Sequence, residues 1–162
     1  MSNQTKKILL LGHFHVGKTS LIKRFVQNSF SEEYITSIGV TIEKKTIEIK
    51  GQNLTFIIWD VAGEVSIDRT PQNYLLGCEG IIYVFDLSRP STWENLQEQY
   101  DKIQSKFPFE PIKIVGNKSD LLRKKEIEEI ISKLTLDVDF LCSAKTGQNV
   151  EELFQDLGLS ML

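Results

Sequence analysis

Gly12-His13-Phe14-His15-Val16-Gly17-Lys18-Thr19 has the spacing G-x-x-x-x-G-K-[ST], and its residue types suit a phosphate. Gly12 and Gly17 let the backbone turn tightly and bring its amides close to an anion. A helix that follows points its positive end at the same place, so His15, Val16, Gly17, Lys18, Thr19 and Ser20 can all contribute. The Lys18 ammonium suits the outer phosphates, and the Thr19 hydroxyl suits Mg²⁺. Further on, Trp59-Asp60-Val61-Ala62-Gly63 offers a carboxylate and a glycine suited to a metal and a terminal phosphate.

Phosphate binding does not choose a base. Asn117-Lys118-Ser119-Asp120, followed by Ser143-Ala144-Lys145, can. The Asp120 carboxylate can accept from the N1–H and N2–H₂ of guanine, a donor pair that adenine lacks. Asn117 can tie this loop to the phosphate loop, the Lys118 stem can lie along the ring, and the Ala144 N–H can reach guanine O6.

These residues need a frame that brings them to one place. Lys7–Leu11 is an apolar run ended by Gly12 and reads as a buried parallel strand; Leu21, Ile22, Phe25 and Val26 then predict a helix to about Gln27. Residues 28–37 read as an exposed loop. Val40–Lys50 reads as a strand whose phase slips between Ile42 and Ile47, which predicts a bulge near Lys44-Lys45. Gly51-Gln52-Asn53 is expected to turn into a strand from Leu54 to Asp60, giving one antiparallel pair. Residues 64–78 hold few hydrophobics at any period and include Pro71, so an irregular, mobile segment is expected.

Ile81–Phe85, Ile112–Val115 and Phe140–Cys142 read as strands. Trp93, Leu96, Tyr100 and Ile103, then Ile127, Ile130, Ile131 and Leu134, then Val150, Leu153, Phe154 and Leu157, mark helical faces. Strands and helices alternate, which predicts an α/β fold with helices on both faces of a mostly parallel sheet.

The chain has 162 residues, enough for one sizeable core, and a net charge of −3 with no basic block, which argues against a nucleic-acid partner. Cys78 and Cys142 are in no metal or redox spacing and read as buried thiols of a reduced, intracellular protein. No apolar run approaches the roughly 20 residues of a membrane span. The polar start, Met1-Ser2-Asn3-Gln4, is neither a signal peptide nor a myristoylation site.

On these motifs, together with Tyr34-Ile35-Thr36-Ser37-Ile38-Gly39-Val40 and the hairpin after it, the chain resembles a small GTPase of the Ras superfamily, nearest the Rab branch. The resemblance spans residues 6–157. It implies a P-loop NTPase small G domain over 1–162, a six-stranded sheet with one antiparallel strand and five helices, and a cytoplasmic, monomeric switch that takes GTP or GDP with Mg²⁺. Residues 31–39 would be switch I and 61–77 switch II, two loops held by the γ-phosphate and Mg²⁺, with effectors or regulators on their surface. Phe30 would flank the base, Tyr34 would close over the phosphates, Gly63 would meet the γ-phosphate, and Thr19, Ser37 and Asp60 would serve the metal. Val65, Ile67, Leu75 and Leu76 either contact partners or pack beneath switch II.

Several residues depart from the family pattern. Glu64 stands where most members have a glutamine that orients the attacking water; a carboxylate accepts but cannot donate, and the alternative is a solvated loop acid. Phe14 stands where the family has a small residue. It either crowds the γ-phosphate and any arginine finger or turns outward onto switch II. His13 and His15 suit loop bracing or solvent better than Mg²⁺. Ser37 replaces a threonine, with Thr36 as an alternative ligand.

The sequence ends without cysteine, so no lipid anchor is visible; either the protein has none or its tail was removed. The expected activity is slow GTP hydrolysis, with Lys18, Gly63 and Glu64 as the catalytic candidates. A non-cycling module that holds GTP or GDP as a structural ligand is the alternative. An ATP-using enzyme has only the phosphate loop in its favour.

Overall fold

The computed structural model describes residues 3–28, 39–61 and 66–162. Among them are six strands: β1 (Asn3–Gly12), β2 (Val40–Ile49), β3 (Gln52–Val61), β4 (Gly80–Asp86), β5 (Ile112–Asn117) and β6 (Phe140–Leu141). They form one sheet in the order β2-β3-β1-β4-β5-β6. Only β2 runs antiparallel, against β3; every other pairing is parallel. Five helices accompany them: α1 (Lys18–Gln27), α2 (Gln72–Leu75), α3 (Leu96–Lys106), α4 (Lys124–Lys133) and α5 (Val150–Ser160). The expected α/β architecture is therefore observed.

Period-2 alternation explains the layers. Ile8 and Leu10 of β1, Phe56 and Ile58 of β3, and Ile82 and Val84 of β4 face α1 and α5. Their neighbours Leu9, Leu11, Ile81, Tyr83 and Phe85 face the opposite core, with α2, α3 and α4. On the first face, Leu21, Ile22 and Phe25 of α1 meet Val150, Leu153, Phe154 and Leu157 of α5. The Phe25 and Phe154 rings stack at 3.8 Å between centroids, and Phe56 lies edge-on to both.

Because β1, β3, β4, β5 and β6 are parallel, their carboxyl ends share one edge. Gly12, Asp60 and Val61, Asp86, and Asn117 all reach it, and Ser143 follows β6 closely. In an open parallel sheet this edge, where the connections diverge to either side, is where ligands bind.

Four local expectations are corrected. Pairing of β2 with β3 runs unbroken from Val40↔Val61 to Ile49↔Gln52, so there is no bulge at Lys44-Lys45. Ile42 simply lies on the face that is not covered there and is 51% exposed. The turn is Lys50-Gly51, both with positive φ (51° and 76°), and Gln52 already belongs to β3. The segment after residue 65 is not wholly irregular: a 3₁₀ turn covers Ile67–Arg69 before α2. Ile67 and Leu75 are buried in the core while Leu76 is exposed. These elements are too short to show a period in sequence. Trp93 ends a 3₁₀ turn (Pro90–Thr92) rather than opening α3, yet it packs on the same core.

The Phe25–Phe154 stack makes a prediction. Phe154→Ala should lower unfolding stability by about 3–5 kcal/mol, read from urea denaturation. A loss below about 1 kcal/mol would show that the α1–α5 face does not carry this half of the core.

Candidate nucleotide site

The phosphate loop links β1 to α1 and has no regular structure of its own, so its peptides must be oriented by other groups. The Lys18 Nζ donates to the carbonyls of Gly12 (3.0 Å) and His13 (3.1 Å). Arg89 Nη1 donates to the Phe14 carbonyl at 2.9 Å. Lys118 Nζ donates to that of His15 at 2.8 Å, and Asn117 Nδ2 to that of Val16 at 2.9 Å. Five consecutive carbonyls are thus held. In a trans peptide the next N–H points opposite to the carbonyl, so fixing the carbonyls also fixes the direction of the amides of His13 to Gly17.

Two glycines are needed for this geometry. A Cβ on Gly12 (φ 150°) would lie 2.2 Å from the Val84 carbonyl oxygen, and one on Gly17 (φ 100°) would lie 2.3 Å from Asn117 Nδ2. His15 also has positive φ, 60°. Its imidazole lies against the Phe14 ring, centroids 4.5 Å apart, and His13 Nε2 is 3.4 Å from Asn95 Oδ1. Val16 is fully buried and Ser20 half-buried.

Thr19, in the first turn of α1, donates its hydroxyl to Asp60 Oδ2 at 2.5 Å. Asp60 is buried, and burial pushes its carboxyl up against the lowering influence of Thr19 and Lys18. Burial also pulls the Lys18 ammonium down to about 8, with Asp60 opposing. A hydroxyl that meets a desolvated carboxylate suits a small hard cation such as Mg²⁺, which takes few protein ligands and completes its shell with water and phosphate. Among the described residues no cluster of three His, Cys, Asp or Glu forms a self-sufficient metal site.

The base loop is built at the next strand ends. Asn117 spans two segments: its Nδ2 holds Val16, and its Oδ1 accepts from the Ala144 N–H at 3.3 Å. Ser143 donates its hydroxyl to Asp120 Oδ1 at 2.7 Å and accepts from the Thr146 N–H. Asp120 is exposed, and a carboxylate has lone pairs left for two further donors. Lys118 adopts φ 64°, and its ammonium pairs with Asp86 at 3.0 Å. Lys145 is exposed, with its carbonyl held by Arg24 Nη2 at 2.6 Å. The structure thus brings Gly12 to Ser20, Asp60, Asn117 to Asp120 and Ser143 to Lys145 to one edge. Phe30, Tyr34, Ser37, Gly63 and Glu64 lie outside the described residues, as do Thr36 and Val65.

A protein-family model described as Ras family matches residues 7–162. The chain belongs to the Ras family. It is 37% identical over 157 residues to "Ras-related protein Rab-1A" of Dictyostelium discoideum, covering 93% of this chain and 77% of that relative. It is 35% identical over 154 residues to "GTP-binding protein ypt1" of Schizosaccharomyces pombe, covering 91% and 75%. The Ras-family chain is therefore Rab-like along most of its length.

Sequence reasoning missed Asp86 and Arg89 of this Ras-family site. Asp86 is fully buried; its Oδ1 accepts from the Ser88 N–H and hydroxyl, and its Oδ2 faces Lys118 and, at 3.7 Å, Arg89. It is the shared counter-charge of the two cations that hold Phe14 and His15. A carboxylate ending an otherwise apolar strand was the available signal.

Lys18 yields a pH prediction. The unfolded chain keeps this lysine protonated up to about 10.5, whereas the folded chain releases the proton near 8. Between those values the unfolded state binds more protons, so this residue makes stability rise with pH. The buried thiols of Cys78 and Cys142, raised to about 11 and 12, act oppositely above their ordinary range. The measurement is therefore the difference between parent and Lys18→Met, each stripped of nucleotide. The parent should gain relative to the variant from pH 8 to pH 10.5; a flat difference contradicts a desolvated ammonium.

Proposed function

We propose that this chain is one small G domain over residues 1–162, a cytoplasmic, monomeric guanine-nucleotide switch that binds GTP and GDP with Mg²⁺ and hydrolyses GTP slowly. One observation carries the reading: Asn117 joins the Val16 carbonyl of the phosphate loop to the Ala144 amide of the base loop. A site that ties a phosphate cradle to an outward carboxylate suits a ligand with phosphates at one end and two adjacent donors at the other. The family match and the relative named as a GTP-binding protein support it.

In this mechanism the cradle amides and Lys18 hold charge on the β and γ oxygens, Lys18 exchanging the Gly12 and His13 carbonyls for phosphate. Thr19 and Ser37 would hold Mg²⁺, with Asp60 behind them, and the ion would neutralise phosphate charge. Asp120, oriented by Ser143, accepts from guanine, with Phe30 beside the ring and Tyr34 over the phosphates. Gly63 would offer its N–H to the γ-phosphate. Residues 31–39 and 61–77 would respond as switches and present the surface for effectors or regulators.

Hydrolysis is slow because Glu64 cannot donate to a phosphate oxygen while it orients water, and because Phe14 puts a benzyl group in the loop beside the γ-phosphate. Single-turnover assays should show Glu64→Gln and Phe14→Gly faster than the parent by roughly tenfold or more. No gain in either variant refutes this account, and absence of any GDP formation over hours favours a non-cycling module. Asp120→Ala should cut the preference for GTP over ATP by about a hundredfold or more, measured by competition against labelled GTP. An unchanged preference removes the base assignment.

A further inference from the structure

Arg24 stands apart from every group assigned above. It sits on α1, six positions after Lys18, on a helix whose other face is buried through Leu21, Ile22 and Phe25. Its guanidinium reaches across to the loop after β6. Nε donates to the Ala144 carbonyl at 2.8 Å, and Nη2 donates to the Lys145 carbonyl at 2.6 Å. Its third nitrogen, Nη1, lies 3.3–3.4 Å from the side-chain and main-chain oxygens of Asn28. Asn28 caps the helix in the left-handed conformation, its N–H bonded to the Arg24 carbonyl. The side chain is further confined by Gly147, whose missing Cβ would lie 3.6 Å from Arg24 Cδ.

The two carbonyls held by the fork flank the peptide planes of the base loop. The Ala144 N–H donates to Asn117 Oδ1 at 3.3 Å, and in the guanine reading it is the group that would turn to the purine 6-position. The next peptide is fixed by Arg24 through the Ala144 carbonyl. Two planar donors on two successive carbonyls fix both the position and the tilt of that segment, which a single ammonium cannot do. The segment's remaining ties run to the segment itself, to Gln148 and to the loop after β5: Ser143 N–H to the Gln148 carbonyl, Thr146 N–H to Ser143 Oγ, Gly147 N–H to the Ser143 carbonyl and the Ser143 hydroxyl to Asp120. Among the described residues, Arg24 joins this segment to the helix that starts at Lys18.

We infer that Arg24 is a positioning residue for base recognition: its fork holds Ala144 and Lys145 at the distance from the phosphate loop that a guanine 6-oxo group requires. The inference rests on the guanine reading. α1 then grips the nucleotide site at two points, with Lys18 and Thr19 at the phosphate end and Arg24 at the base end. Leu21 and Ile22, between those points, are buried in the core, and Phe25, next to Arg24, stacks on Phe154.

The test compares release of labelled GDP and 6-thio-GDP from the parent, Arg24→Ala and Arg24→Lys. The thio compound keeps the N1 and N2 donors and changes only the 6-position acceptor. Arg24→Ala should release GDP roughly tenfold faster, about the net worth of one charge-assisted hydrogen bond. Arg24→Lys, which keeps the charge without the fork, should fall between. In both variants the ratio of 6-thio-GDP to GDP release rates should move toward one. A fold-level brace would speed both nucleotides equally and leave that ratio unchanged. That outcome, or parent-like GDP release from both variants, overturns the assignment while the guanine reading stands. A parent that binds ADP as tightly as GDP overturns the guanine reading and this assignment together.

Discussion

The phosphate loop owes its shape to groups outside it. A run of peptides with no helix or strand to satisfy its carbonyls would sample many conformations, and ordering each residue costs about 1–2 kcal/mol. Here the carbonyls from Gly12 to Val16 are satisfied by Lys18, Arg89, Lys118 and Asn117. Three of those four partners come from the ends of β4 and β5, and two of them share Asp86 as counter-charge. The loop is thereby tied to the ends of the parallel sheet beneath it. Removing Asp86 would leave two cations beside a ring of carbonyls with no carboxylate to balance them, a costly arrangement at a buried position.

This arrangement makes the phosphate and base regions one mechanical unit. Asn117 and Lys118 belong to the base loop by sequence, yet each also closes a peptide of the phosphate loop. Gly17 is needed for the same reason, since any side chain there would strike the Asn117 amide. A displacement of the loop after β5 therefore reaches the amides of Val16 and Gly17 directly. On the far side, Ser119 joins Gln148 and its N–H joins the Cys142 carbonyl, so the two base segments move together.

Sequence patterns gave access to whatever was periodic or was marked by chemically distinct side chains. Alternating runs such as Ile81–Phe85 fixed the parallel sheet, and the glycine spacing around Lys18 fixed the cradle. Asp120 stood out in the sequence as a carboxylate able to accept a donor pair such as guanine's, and the structure sets it beside Ser143. Arg24 and Arg89 were not legible, since their partners are backbone carbonyls up to 121 residues away and a carbonyl is present at every position. The supposed bulge at Lys44-Lys45 came from reading Ile42 as buried, whereas an edge strand tolerates an exposed apolar residue where no helix covers it. The turn and short helix between Ile67 and Leu75 escaped notice because tertiary burial of two residues, not a repeat, holds them.

A charged site at the edge of an apolar sheet carries a cost that the two cores must offset. Lys18, Asp60 and Asp86 are each buried at that edge, and desolvation opposes the ionised form of both Lys18 and Asp60. Attraction between Lys18 and Asp60 recovers only part of that cost, since burial is the larger effect on both groups. A phosphate oxygen within reach of Lys18 would add a negative partner to the desolvated ammonium and restore its proton. Ligand affinity and fold stability would then rise together by mass action. The same burial that weakens the unliganded edge raises the attraction between Lys18 and a bound phosphate, because a poorly solvated cation surrenders little water on contact. The hydrophobic layers on either side, closed by Phe154 below and Phe85 above, let the edge tolerate a site of this kind.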